Sequence, residues 1–307
     1  MFNDQLFIVT KFMIKPKNIP ALGWMLFSAF CFALMGAFTH SLKDTFDWRI
    51  TGFARAFINF IFVVALAYAT KKPLIFFKVP SSLWWRSVVG SLSILCTFYV
   101  FANLPLAEAT SLVNLVPIWM ALIVAFVANQ AITRSVLVSI LCGIAGVYFI
   151  QQPHFDKGNF AIVVGIFQAL FAAVAVYNLH LTKGLHPTTV VAHFTGVASV
   201  ITFVALIPSL PHLFDGAKYT LPVIGELLGI GLTGTAAQLA MTRAYMLGNP
   251  AQNSTVGLAQ VAFATVFDIV IWNRSFSLET VIGILLITVP TTFFVARIQL
   301  RNRAQSV

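Results

Sequence analysis

A chain of 307 residues, 59% hydrophobic, only 9% charged and with a formal net charge of +10, holds more oil than a soluble core of its size can use. That balance leaves no room for a soluble catalytic domain. It also argues against nucleic acid as a partner, because the basic residues sit in short loops beside apolar runs and track membrane topology. Cys31, Cys96 and Cys142 each fall inside an apolar run with no pair at metal-ligand spacing, so they read as packing residues, and neither a metal nor a cofactor is expected.

Taken in chain order, residues 1–19 carry Lys11, Lys15 and Lys17 but no apolar core ending in small residues. They read as a cytoplasmic tail rather than a cleaved signal peptide. Ten apolar stretches follow, at about 20–41, 50–70, 84–102, 107–129, 134–151, 159–182, 187–208, 221–247, 251–272 and 278–297. A hydrocarbon core of ~30 Å takes about 20 residues of helix. Backbone in lipid must satisfy its own hydrogen bonds, so each stretch is predicted to be a helix. Residues 298–307 form a second cytoplasmic tail. The expected fold is all-α: a polytopic membrane protein of ten transmembrane helices whose main partner is the lipid bilayer.

Threading ten spans from a cytoplasmic N-terminus places 12 basic residues inside, among them Lys71, Lys72, Lys78, Arg86 and Arg134, and 5 outside. Arg55 and Arg243 stay within spans. The bias predicts both termini in the cytoplasm of a bacterial inner (cytoplasmic) membrane.

The chain also repeats itself. A shift of 144 residues brings Pro105–Ser111 onto Asn249–Thr255, and Leu115–Trp119 onto Ala259–Phe263. A shift of 138 brings Ile50–Arg55 onto Thr188–His193. Two units, 20–151 and 159–297, account for both registers. Five spans per unit is an odd number, so the second unit enters the membrane upside down, an arrangement that places transport sites between the halves near the midplane.

The run Phe101-Ala102-Asn103-Leu104-Pro105-Leu106-Ala107-Glu108-Ala109-Thr110-Ser111-Leu112, continued by Leu115-Val116-Pro117-Ile118-Trp119, resembles a recognisable segment of the drug/metabolite transporter superfamily, in its ten-helix EamA-like branch. Arg243–Ala251 and Gln260–Phe263 look like its second copy. Arg55 early in span two, and paired closing helices around Gly143–Gly146 and Gly283, fit the same family. The chain departs from the pattern after span four, where Asn129-Gln130-Ala131-Ile132-Thr133 stands without the acidic residue the family often carries, and after span nine, where Asn273-Arg274-Ser275 stands. The resemblance implies transport of a small-molecule substrate, driven by a gradient or by exchange.

Ionisable residues inside a span are expensive and usually face a cavity or a partner. Arg55 and His193 hold matching repeat positions and are expected to face a shared pathway, one nearer each side. Arg55 would attract an anionic group, and His193, which titrates near neutrality, would couple transport to protons. Glu226 and Asp268 lie at a depth like that of Arg55, so an ion pair or outer gate is expected there. Arg243, near a span end, would snorkel to the headgroups. Asn114, Gln238 and Gln260 supply amides and Trp119 an aromatic face, a lining suited to an amino acid or a nucleoside-like compound. Pro117 frees a carbonyl in span four and would act as a hinge. No phosphate-binding Gly-x-x-x-x-Gly-Lys-Ser/Thr loop and no His-Glu-x-x-His motif is present, so neither ATP-driven transport nor zinc hydrolysis is expected. The rival readings are a channel or lipid scramblase, which needs a continuous polar path, and an intramembrane enzyme, which needs a tight catalytic cluster.

Overall fold

The computed structural model describes residues 18–42, 44–104, 112–129, 131–132, 134–151, 160–182, 184–213, 219–273 and 277–304. The segment Pro105–Ser111, quoted above for its family resemblance, lies outside the described residues. Among those described, the chain is helical with no strand. The helices are α1 (Asn18–Ser41), α2 (Trp48–Ala69), α3 (Ser81–Asn103), α4 (Val116–Phe126), α5 (Arg134–Gln151), α6 (Phe160–Leu181), α7 (Pro187–Leu206), α8 (Leu221–Leu247), α9 (Pro250–Gly257), α10 (Ala259–Trp272) and α11 (Leu278–Ala304), with single turns at Ile207–Ser209 and Leu210–Leu213 after α7.

Among the described residues, seven segments are long and apolar enough to cross a membrane, α9 and α10 together counting as one; α4 and parts of α5 and α11 are shorter apolar helices. Local chemistry starts several of them. Asp47 caps α2 by accepting from the Arg49 amide at 2.8 Å. Asn249 caps α9 by accepting from the Gln252 amide at 3.2 Å, with Pro250 in the first turn. Asn273, in the left-handed conformation at φ 51°, ends α10.

The principal helix contacts recur when the halves are exchanged, while α6 packs on α8 without an equal contact between α1 and α3. The helices correspond as α1 to α6, α2 to α7, α3 to α8, α4 to α9 and α10 together, and α5 to α11. Helix α1 packs on α8, and its counterpart α6 packs on α3. Helix α3 packs on α7, as α8 packs on α2; α4 packs on α6, as α10 packs on α1. The self-corresponding pairs α2 with α7 and α5 with α11 are also formed. Hydrogen bonds repeat the relation. Ser28 on α1 donates to the Ala237 carbonyl on α8 at 2.8 Å, and Ser93 on α3 donates to the Gln168 carbonyl on α6 at 3.3 Å.

The closing helices α5 and α11 approach closely: a Cβ at Gly146 would stand 2.7 Å from the Gly283 carbonyl oxygen. Small residues at such crossings are how helices pack where lipid supplies no hydrophobic drive.

Span four runs as a loose turn at Asn114–Leu115 followed by α4, with Pro117 in the first turn of that helix. At the matching place, Leu258 separates α9 from α10. In both, the ladder tightens to i→i−3 bonds: Leu115 N to Leu112 O at 3.1 Å, and Val261 N to Leu258 O at 3.0 Å.

Candidate functional site

A cavity of about 570 Å³ lies between the halves. Its wall takes the second half of α1 from Phe32 to His40, Arg55 on α2, α3 from Arg86 to Phe101, Asn114, the middle of α6, Phe194 on α7, Gln238 and Met241 on α8, and α10 from Gln260 to Phe267. In an alternating bundle these segments converge toward the end where α1 meets α2, which is the mouth. Arg86, Phe194 and Gln238 form the floor.

Arg86 is the residue that the sequence reading misplaced. Its neighbours Lys71, Lys72 and Lys78 made it look like a loop marker of topology. It lies instead in the second turn of α3, 3% exposed, with its guanidinium 3.9 Å over the Phe194 ring. Nη2 donates to Gln238 Oε1 at 3.3 Å, while Nε has no partner. A buried charge with one neutral hydrogen bond and one aromatic face is under-compensated. Gly90, one turn along, makes the space: a Cβ there would run into Nη1 of Arg86 and stand 2.9 Å from Phe194 Cε2. The signal for this residue was present as Arg86 and Gly90 at i and i+4, one helix face combining a cation with room for it.

Arg55 also lines the cavity, half-buried, 5.9 Å from the Phe32 ring centroid. Asn114, Gln238 and Gln260 line it as well, together with Gln168, whose Nε2 donates to Ser93 Oγ at 3.2 Å and whose Oε1 has no partner. Among the described residues, no Asp or Glu is part of the wall.

The other proposed site residues stand elsewhere. His193 is fully buried beneath the floor and does not line the cavity. Its Nε2 reaches the Phe76 carbonyl at 3.1 Å and its Nδ1 lies 2.7 Å from Ser87 Oγ. A carbonyl can only accept, so Nε2 carries a proton, and the neutral ring then accepts from the Ser87 hydroxyl at Nδ1. Trp84 stacks edge-on at 4.7 Å. Beside it, Thr189 Oγ1 donates to the Pro73 carbonyl at 2.7 Å. These bonds join the halves on the far side of the floor.

Glu226 accepts from Ser41 Oγ at 2.7 Å, near the mouth, and makes no ion pair with Arg55. The Asp268 side chain lies outside the described residues. Trp119 packs against the core and does not reach the cavity wall. Arg243 sits 4.8 Å over the Trp24 ring.

An all-helical membrane bundle in which two matching halves line a solute-sized cavity has the build of a transporter rather than an enzyme. The model of the EamA-like transporter family matches the chain twice, over residues 19–152 and 158–296, and the chain belongs to that family. This sets it in the drug/metabolite transporter superfamily. It is 27% identical over 278 residues to an uncharacterized transporter of Helicobacter pylori, covering 87% of this chain and 91% of that one. It is 29% identical over 221 residues to the pseudopaline exporter CntI of Pseudomonas aeruginosa, covering 71% and 75%. Solute carrier family 35 member G1 of Homo sapiens is 23% identical over 282 residues, covering 85% and 75%. A solved crystal structure aligns with a TM-score of 0.74 at 16% identity over 93% of this chain and 98% of that one, a likeness of fold.

Proposed function

We propose that this protein is a secondary transporter that moves a small metabolite, of amino-acid or nucleoside-like size, by alternating access between two inverted five-helix repeats. The observation that carries the reading is the cavity itself: about 570 Å³ between the halves, walled by amides, aromatic rings and two guanidiniums. The volume falls in the range of small-molecule sites. The recurring contacts support the mechanism together with the one that does not recur: α6 meets α8 while α1 and α3 stay apart, and exchanging those roles between the halves would give a state open to the opposite side. With both termini cytoplasmic, as the basic bias predicts, the mouth faces outward from a cytoplasmic membrane. The proton is the coupling partner of this reading, acting through His193 in the bonds beneath the floor. A channel or scramblase needs an unbroken polar path, and the Arg86–Phe194–Gln238 floor interrupts it.

The test is counterflow in proteoliposomes with a metabolite panel. The reading predicts saturable flux, accelerated by unlabelled solute on the opposite side. It also predicts a pH profile that changes in His193→Gln. Non-saturable flux without counterflow sinks it in favour of a channel.

A further inference from the structure

We infer that the solute is an organic acid that enters with net negative charge, its carboxylate seated on Arg86 and its apolar body against the Ile94–Phe98 wall. The inference rests on the transporter reading and narrows its substrate class.

The sign of the cavity argues it first. Arg86 and Arg55 both line the wall, and no described wall residue carries a carboxylate to balance them. Arg86 is 3% exposed, so bulk solvent screens its charge little. Its hydrogen bond goes to a neutral amide and its Nε has no partner. A structural arginine would have been given a carboxylate. This one is left with its charge unspent at the bottom of a solute-sized space, and a planar guanidinium suits a carboxylate in two-point contact.

The seat is also shaped. Phe194 holds one face of the guanidinium, and the missing side chain of Gly90 leaves the room that Nη1 fills. Above it, Ile94 and Phe98 offer an apolar surface. The described wall offers an ammonium group nothing but neutral acceptors such as Gln168 Oε1, beside two cations. An N–H of an acylated amine can use that oxygen without the penalty of a second positive charge. A free amino acid or a cationic amine fits less well than an acylated or otherwise net-anionic acid.

Three probes share one aromatic body and differ in charge: N-acetyl-tryptophan, N-acetyl-tryptophanamide and tryptophan methyl ester. Thermal stabilisation of the purified full-length protein in detergent reads their binding without requiring transport. The acid is expected to bind at least about tenfold more tightly than the amide, and the cationic ester weakest. Arg86→Gln is expected to erase that preference while the empty protein unfolds at the same or a higher temperature, since an unbalanced buried charge has gone. Arg86→Lys is expected to keep the sign preference with lower affinity.

Equal binding of acid and amide overturns the inference, as does an empty Arg86→Gln protein that unfolds at lower temperature, the mark of a structural arginine. So does stabilisation by inorganic phosphate as large as that by the acid, at matched ionic strength. Counterflow of a neutral solute with none of the acid preference leaves the transporter reading standing and removes this one. Acid binding without any flux does the reverse.

Discussion

The seam between α3 and α7 and the seam between α8 and α2 occupy exchanged positions in the two halves. Each has glycines of the longer helix at the crossing: Gly90 on α3, and on α8 Gly234, which the 144-residue register matches to Gly90, with Gly231 one turn before it. They have been filled differently. The space in front of Gly231 holds Ile58 and Phe62, an apolar packing of one helix into another, and that in front of Gly234 holds the uncharged Asn59 amide and Met35. The space in front of Gly90 holds the Arg86 guanidinium and the Phe194 ring, with His193 and Ser87 bonded to each other behind them. The shared pattern carries the scaffold. The chemistry stands where one copy has departed from the other.

Four measurements can break or sharpen that contrast. The largest effect is expected beneath the floor. His193→Leu leaves the Ser87 hydroxyl and the Phe76 carbonyl without partners, a loss of about 3 kcal/mol in unfolding free energy, and loosens the closed end. In a background lacking the three native cysteines, a Met241→Cys reporter should react with maleimide from the mouth side alone in the parent. With His193→Leu it should react from both sides. Labelling from one side in both would show that the His193 bonds do not hold the floor shut.

Next comes the apolar seam. Gly231→Leu drives a side chain into Ile58 and Phe62 and should cost about 1–3 kcal/mol of stability. Whatever protein folds should keep its acid-over-amide preference. The polar seam should answer in the opposite sense. Gly90→Ala meets the movable end of Arg86 and the edge of Phe194, so its stability cost should stay near about 1 kcal/mol, while acid binding falls about tenfold. Equal responses at the two glycines would erase the distinction between them.

The smallest effect concerns pH. Burial, with Lys72 and Arg243 adding repulsion, holds the His186 imidazole below its ordinary 6.5. Its ring caps α7 by accepting from the Thr188 amide at 3.3 Å, which only the neutral form can do. The unfolded chain therefore binds more protons than the folded one below about pH 6.5. This share of stability is complete above that pH and is lost as pH falls toward the lower folded value. Solvent screens it, so less than about 0.5 kcal/mol is expected. His186→Asn should keep the cap and flatten the acid limb of a thermal-unfolding profile.

The bundle was legible because bilayer length and hydropathy leave a marked signal, and the repeat was legible in Pro105–Ser111 against Asn249–Thr255. Equivalence of position did not extend to equivalence of role. Arg55 and His193 match in register, yet Arg55 lines the cavity while His193 lies beneath its floor. Inversion gives the two positions different neighbours, which a single sequence does not display. Arg86 escaped because a cation a few residues from three lysines looks like a headgroup anchor, and whether it turns toward lipid or inward depends on the helix packed beside it. Glu226 illustrates the converse: its depth suggested an ion pair, and it is held by the Ser41 hydroxyl.

The loosened turns at Asn114–Leu115 and Leu258 bear on stiffness. An α-helix resists bending because each turn is tied to the next, and a place where the ladder tightens to i→i−3 is a weak point in an otherwise stiff rod, more so in span four, where Pro117 withholds its N–H. Both weak points border the cavity, where Asn114 and Gln260 reach its wall. Under the proposed alternating access, each would divide its span into two arms that pivot while the neighbouring helices keep their shape. Because the pivots sit at matching positions in the two halves, a deflection taken up at one can be returned at the other. In that mechanism the force needed to rock the cavity from one side to the other would fall on two joints and leave the rest of the bundle unbent.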